Sequence, residues 1–250
     1  AIARRAQLSL ERGAQLSEQL PLFRPRSDAS FANFFVGAAN AAVMHALREW
    51  LARPASAQSS GLFYLYGTAH SGRSHLLQAV CRDHGALYLP LAQFAAENPQ
   101  RVLEGLDSVQ SLSLDDIHTV VGDLAWCEYL FHLFNRCAQT GAKLLISSDC
   151  ASAQLQCRLR DLQSRLSWGG DFRLHALSDE ERMQALQLRA HERGIELSDD
   201  VTAYIFSREA RDFPSLLALL EQLDRQSLAE KKRITIPFVR RVLEASGSGA

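Results

Sequence analysis

Short apolar runs alternate with helix-like stretches across residues 31–176, and the alternation predicts a three-layer α/β domain built on a parallel sheet. The runs cover 63–66, 87–91, 111–114, 144–147 and 172–174; they suit strands buried on both faces. Residues 41–52, 74–84 and 125–139 read as the helices between them. After residue 176 the pattern becomes helical throughout, with helices expected at 179–193, 198–207, 214–228 and 237–243, a small all-helical domain over 177–245. Its first helix is announced by Ser178, an N-cap residue with the carboxylate of Glu181 three positions on. Residues 1–30 are polar, proline-bearing and aperiodic, which predicts a flexible tail; Ser246-Gly247-Ser248-Gly249-Ala250 predicts a second, short one. No internal repeat is visible in the part expected to fold.

The chemistry concentrates where the first strand meets its helix. Gly67-Thr68-Ala69-His70-Ser71-Gly72-Arg73-Ser74 is a phosphate-binding loop with arginine where lysine is expected, and it stands in the strand, glycine loop, helix context that the motif needs. Gly67 and Gly72 let the backbone curl until successive N–H groups face the phosphates, and the helix N-terminus that follows adds partial positive charge. Ser74 can set its hydroxyl on Mg²⁺, and His75 completes the stretch expected to surround the nucleotide. Arg73 keeps the charge near the β-phosphate but is bulkier than an ammonium, so binding is expected to survive better than turnover. About forty residues on, the strand 111–114 ends in Asp115 and Asp116, as an acidic Walker B site requires. Asp115 would hold the Mg²⁺ shell. Asp116 stands where a longer glutamate more often polarises the attacking water, which again argues for weak self-hydrolysis. His118, beside this pair, reads as an ordinary loop histidine.

Composition narrows the setting. The chain has 250 residues, 47% of them hydrophobic, enough for one large core and a smaller appended unit, and no apolar stretch long enough to span a membrane. Arg4 and Arg5 are followed by no apolar signal core, and the five cysteines form no C-x-x-C pair, so reduced thiols in a cytoplasm are expected. A net charge of −1 excludes a broad cationic nucleic-acid surface but not a local basic patch, and no Cys, His and acidic residues cluster at zinc spacing.

A P-loop α/β domain followed by a helical lid resembles the AAA+ class, and further segments resemble the DnaA ATPase core and the Hda family of DnaA-homologous regulators of replication initiation. Residues 30–37, Ser-Phe-Ala-Asn-Phe-Phe-Val-Gly, followed by Asn40, are similar to the opening of that core; the resemblance implies that Phe35, Val36 and Gly37 line the adenine pocket. Leu144-Leu145-Ile146-Ser147-Ser148-Asp149 resembles the sensor-1 strand, with Ser148 or Asp149 reaching the γ-phosphate region. Asp161-Leu162-Gln163-Ser164-Arg165-Leu166 resembles the arginine-finger box, making Arg165 the finger; a merely structural Arg165 would pair with Asp161 one turn earlier. The similarity runs from residue 19 to residue 243. It includes Gln19-Leu20-Pro21-Leu22-Phe23, which looks like the peptide by which bacterial proteins dock on the β sliding clamp: a glutamine amide for directional hydrogen bonds, then leucine and phenylalanine for an apolar cleft.

One departure concerns the sensor-2 arginine of AAA+ lids: the aligned position is Pro214, and Arg211, about a turn earlier, is the candidate substitute. With Arg73 and Asp116 this weakens three elements of turnover. The resemblance therefore implies a negative regulator that binds adenine nucleotide, ADP or ATP, with Mg²⁺, has weak or no ATPase activity of its own, and acts on DnaA. It would meet DNA mainly through the clamp, and whether it pairs as a homodimer stays open. With few residues after the lid, an origin-binding helix-turn-helix and an initiator role are not expected of this sequence. Two alternatives remain at this point, an AAA+ helicase loader of the DnaC type and a self-contained P-loop ATPase.

Overall fold

The computed structural model describes residues 29–54, 61–208 and 213–247. The chain divides into two compact units between Ala176 and Leu177.

In the first unit, β1 (Leu62–Tyr66), β2 (Leu87–Pro90), β3 (Ser111–Asp115), β4 (Lys143–Ser148) and β5 (Asp171–Arg173) form one sheet in the order β2-β3-β4-β1-β5. Every pairing is parallel. Because side chains alternate along a strand, the sheet feeds two separate cores. Leu62, Tyr64, Leu112, Leu114, Leu144 and Ile146 face one way, into a cluster closed by α3 (Pro99–Leu103), α4 (Leu124–Thr140) and α5 (Arg160–Leu166). Phe63, Leu65, Tyr88 and Leu145 face the other, against α1 (Ala41–Ala52) and α2 (Arg73–His84). The same parity puts Ser113 and Asp115 on the α2 side, and that carries a buried carboxylate beneath the phosphate loop.

Local signals fix the helix ends. Asp123 caps α4 by accepting from Ala125 N at 2.7 Å, and the αL glycines Gly85 and Gly141 close α2 and α4. Lys143 Nζ lies 2.8 Å from the Trp50 carbonyl and 2.7 Å from that of Leu51, a cation on the last carbonyls of α1. Ala29 and Ser30, which belong to the stretch expected to be a tail, are buried.

The second unit consists of α6 (Asp179–Glu192), α7 (Asp199–Arg208), α8 (Phe213–Glu230) and α9 (Ile236–Gly247). Its core gathers Leu186, Ala190, Ile205, Leu216, Leu220, Leu223, Phe238 and Val239. The expected cap is a reciprocal capping box: Glu181 N donates to Ser178 Oγ at 3.2 Å and Ser178 N to Glu181 Oε2 at 2.9 Å. Among the described residues no helix is long and apolar enough to cross a membrane.

Candidate nucleotide-binding site

The C-terminal ends of β1, β3 and β4 converge at the position where open α/β sheets bind ligands. β1 runs into Gly67, whose N–H donates to the Ser148 carbonyl at 3.2 Å, tying the phosphate loop to the end of β4. A Cβ on Gly67 would lie 2.3 Å from the Leu174 carbonyl oxygen and 2.8 Å from Ser71 Oγ. Gly72, at φ +99°, admits Phe34 so closely that a Cβ there would be 2.8 Å from Cε2 of that ring. Both loop glycines are thus required by close approach. His70 takes a left-handed conformation, φ 62°, between them.

Among the described residues, several polar atoms around this loop lack a hydrogen bond. Ser71 Oγ and Arg73 Nη1 are buried and make no hydrogen bond, and Asp116 Oδ1 and His118 Nδ1 lack one as well. Buried donors in that condition cost about 1–3 kcal/mol each, so they are expected where a ligand supplies the acceptor. Together with the remaining loop amides between Thr68 and Ser74 and the N-terminus of α2, the Ser71 hydroxyl and Arg73 fit the phosphates of a nucleotide.

The acidic pair splits in role. Asp115 is buried, and both its oxygens are engaged: Tyr88 donates its hydroxyl to Oδ2 at 2.7 Å, and Ser147 donates its hydroxyl to Oδ1. Gln78 of α2 in turn donates to the Tyr88 hydroxyl at 3.2 Å. Any metal held by Asp115 has to use the remaining lone pairs; among the described residues no group of three His, Cys, Asp or Glu side chains is placed to hold an ion. Burial, and then the negative charge of Asp115, push the Tyr88 hydroxyl well above the usual tyrosine range. Tyr88→Phe should leave Asp115 one hydrogen bond short and cost about 1–3 kcal/mol, read as a shift in urea midpoint at unchanged slope.

Asp116 sits at φ 55°, its N–H donating to Ser147 Oγ at 2.9 Å. Its Oδ1 lies 3.2 Å from Arg73 Nη2. Burial, followed by the charge of Asp115, raises its carboxyl above the usual range, outweighing Arg73. His118 stands between the two remaining carboxylates, its Nδ1 3.7 Å from Asp149 and 4.0 Å from Asp116. It is therefore part of the constellation, although its sequence position reads as an ordinary loop histidine. Ser148 is fully buried and Asp149 half exposed, so only Asp149 presents its side chain outward at the end of β4.

The opening segment is seated over the loop. Phe34 packs on Gly72, and buried Asn40 pins the segment to the stretch after β5, donating to the His175 carbonyl at 2.9 Å and accepting from His175 N at 2.8 Å. Phe35 is partly buried, Val36 exposed and Gly37 buried beside them. His75 has its Nε2 3.0 Å from the Ser30 carbonyl and its ring against Phe34, so its side chain holds this segment in place.

Arg165 lies near the end of α5. Among the described residues it makes no ion pair with Asp161; its guanidinium lies over the exposed Trp168 ring at 4.2 Å and 5.7 Å from the Phe131 centroid. Arg211 and the segment from Gln19 to Phe23 lie outside the described residues.

Solved structures of similar fold include domain III of the replication initiation protein DnaA from Thermotoga maritima, with a TM-score of 0.73 at 22% identity, covering 89% of this chain and 98% of that one. AMPPCP-bound DnaA from Aquifex aeolicus gives 0.65 at 22% identity, covering 80% and 66%. The Thermotoga maritima RuvB branch migration motor gives 0.62 at 17% identity, covering 87% and 72%. At these identities the likeness concerns the fold. A family model for the bacterial DnaA ATPase domain matches residues 92–172, and one for the lid domain of Hda matches residues 179–243, nearly the whole described second unit. The chain is an Hda-like, DnaA-homologous AAA+ protein. In this Hda-like chain the match to the DnaA ATPase domain takes in β3, β4 and α5, and so the acidic pair and Arg165.

Proposed function

We propose that the protein is a negative regulator of chromosomal replication initiation. It docks on the DNA-loaded β sliding clamp through Gln19, Leu20, Pro21, Leu22 and Phe23, and it drives hydrolysis of DnaA-bound ATP with Arg165 acting in trans. The observation that carries this reading is the state of Arg165: within a chain bearing an Hda-type lid, its guanidinium stacks on an exposed tryptophan and pairs with no carboxylate among the described residues. A planar cation held that way keeps its N–H fork for an anionic group on a neighbour. In hydrolysis on the neighbour, that fork would stabilise the charge spreading over the transferred phosphoryl oxygens. The clamp supplies proximity, since tethering raises the effective concentration for a weak second contact.

The chain's own nucleotide site then serves binding more than turnover. Adenine nucleotide would be held by loop amides between Thr68 and Ser74, by the Ser71 hydroxyl and Arg73, and at the base by Phe35, Val36 and Gly37; Ser74 and Asp115 would address Mg²⁺. Asp116 is already engaged with Arg73 and so is withheld from a water. We expect ADP to bind at least as well as ATP by calorimetry, and phosphate release by the isolated chain to fall far below the ~10 s⁻¹ of ordinary enzymes. A clear ATP preference, or turnover at that rate, would favour a self-contained ATPase.

The docking peptide is tested by replacing Gln19, Leu22 and Phe23 together with alanine. Clamp binding should disappear while nucleotide affinity and the unfolding transition stay as they were. Co-elution of the triple variant with the clamp would remove this part of the reading, and capture of a replicative helicase in its place would point to a loader.

A further inference from the structure

Cys127 and Cys157 stand apart from the site described above. Cys127 lies in the first turn of α4 and is fully buried, while Cys157 sits in the partly exposed segment just ahead of α5. Their sulfurs are 3.7 Å apart, and both are free thiols. The backbone ties the two elements at the same spot: Val121 O accepts from Cys127 Sγ at 3.1 Å and from Arg158 N at 3.1 Å. We propose that this pair is a redox modification site, at which a low-molecular-weight disulfide oxidises the two thiols to an intramolecular disulfide.

The order of events follows from exposure. Cys157 is the partly exposed member of the pair, and its thiol is drawn below the usual range, first by the contact with the Cys127 sulfur and then, against the opposing effect of burial, through the backbone at Leu159 and Gln163. Cys127 moves the opposite way. The Cys157 thiolate attacks one sulfur of the oxidant, forming a mixed disulfide and expelling one thiolate. Cys127 then loses its proton, attacks the Cys157 sulfur and expels the second. Two protein thiols are oxidised and one small disulfide is reduced to two thiols.

Closure requires the sulfurs to approach to about 2.05 Å. Cys127 is fixed in a long core helix, so the displacement falls on the segment around Cys157. That segment also loses the bond from Cys157 Sγ to the Leu159 carbonyl, now 3.3 Å. α5 begins three residues beyond Cys157 and carries Arg165, so oxidation repositions the start of the finger helix. Bond formation is independent of the proposed finger role; the effect on DnaA rests on it.

The test exposes the full chain to oxidised glutathione at neutral pH, blocks remaining thiols and maps the peptides. Wild type should yield a linked pair containing Cys127 and Cys157, lighter by two hydrogens and reversed by dithiothreitol. Cys127→Ser should stop at glutathione bound to Cys157, and Cys157→Ser should form neither product. Circular dichroism checks folding of both variants; if Cys127→Ser does not fold, the wild-type map decides alone. A linkage elsewhere, glutathione remaining on Cys157 of wild type, or no modification would overturn the assignment. In the clamp-dependent DnaA assay the oxidised protein should lose activity on the order of 10²-fold, the scale of a misplacement of about 1 Å, and regain it on reduction. Full activity in the disulfide form would overturn the regulatory consequence, whereas an inactive reduced wild type would instead count against the proposed function.

Discussion

Arg165→Ala is expected to keep the fold, the nucleotide and the clamp, yet to lose about 10³-fold or more of the stimulation of hydrolysis on DnaA, the scale at which such arginines act in other nucleotide hydrolases. The structural cost should be small. An exposed cation–aromatic contact of the kind made with Trp168 contributes about 0.5–1 kcal/mol, and α5 is anchored by buried Leu162 and Leu166, which the substitution does not touch. Arg165→Lys separates charge from shape. An ammonium can sit over the same ring but cannot offer two parallel donors to a phosphoryl group, so rescue should be poor. Single-turnover measurement of DnaA-bound ATP, with thermal unfolding of the variants alongside, reads both effects. Near-normal conversion by the alanine variant would refute the finger assignment.

Gly67→Ala should abolish most nucleotide binding while the chain remains folded. The new Cβ would meet the Leu174 carbonyl oxygen at 2.3 Å, a backbone group that cannot rotate away, so the loop has to shift. The same Cβ would lie 2.8 Å from Ser71 Oγ, one of the unpartnered donors facing the phosphate position. Overpacking of this kind costs about 1–3 kcal/mol, and spent on the geometry of the loop it amounts to roughly a tenfold to hundredfold loss of affinity for both ADP and ATP. If it fell wholly on global stability instead, the melting temperature would drop by about 2–4 °C for each kcal/mol. Calorimetry and thermal unfolding on one preparation distinguish these, and unchanged affinity would show that the loop does not cradle phosphate.

Those elements whose signal is local were legible in the sequence. The five strand runs and the long helices declare themselves by apolar runs and by caps such as Ser178 with Glu181. By contrast, α3 (Pro99–Leu103) was missed: a single turn carries no period, and its markers are Asn98, which accepts from Gln100 N at 2.9 Å, and Pro99 at the first helical position. The phosphate loop and the acidic pair could be read because their spacing along the chain is the motif. What surrounds Asp115 could not. Tyr88 and Ser147 reach it only because β2 and β4 flank β3 in a particular register, with Pro90 opposite Asp115 and Leu114 opposite Ile146, and Gln78 of α2 then bonds to the Tyr88 hydroxyl. The same long-range placement draws His118 toward Asp149, and turns His75 to Ser30. The stacking of Arg165 on Trp168 had a local clue, a tryptophan three residues on along the same helical end, whereas the proximity of Cys127 and Cys157 had none.

The central claim is that this chain promotes hydrolysis on another protein's nucleotide while tethered by the clamp. The most direct measurement loads purified DnaA with labelled ATP and follows conversion to ADP with wild-type chain, with and without clamp on DNA. The account predicts rapid conversion only when the chain, DnaA and DNA-loaded clamp are all present, and negligible turnover by the chain alone. Equal conversion with the clamp omitted, or none in the complete mixture, would contradict it.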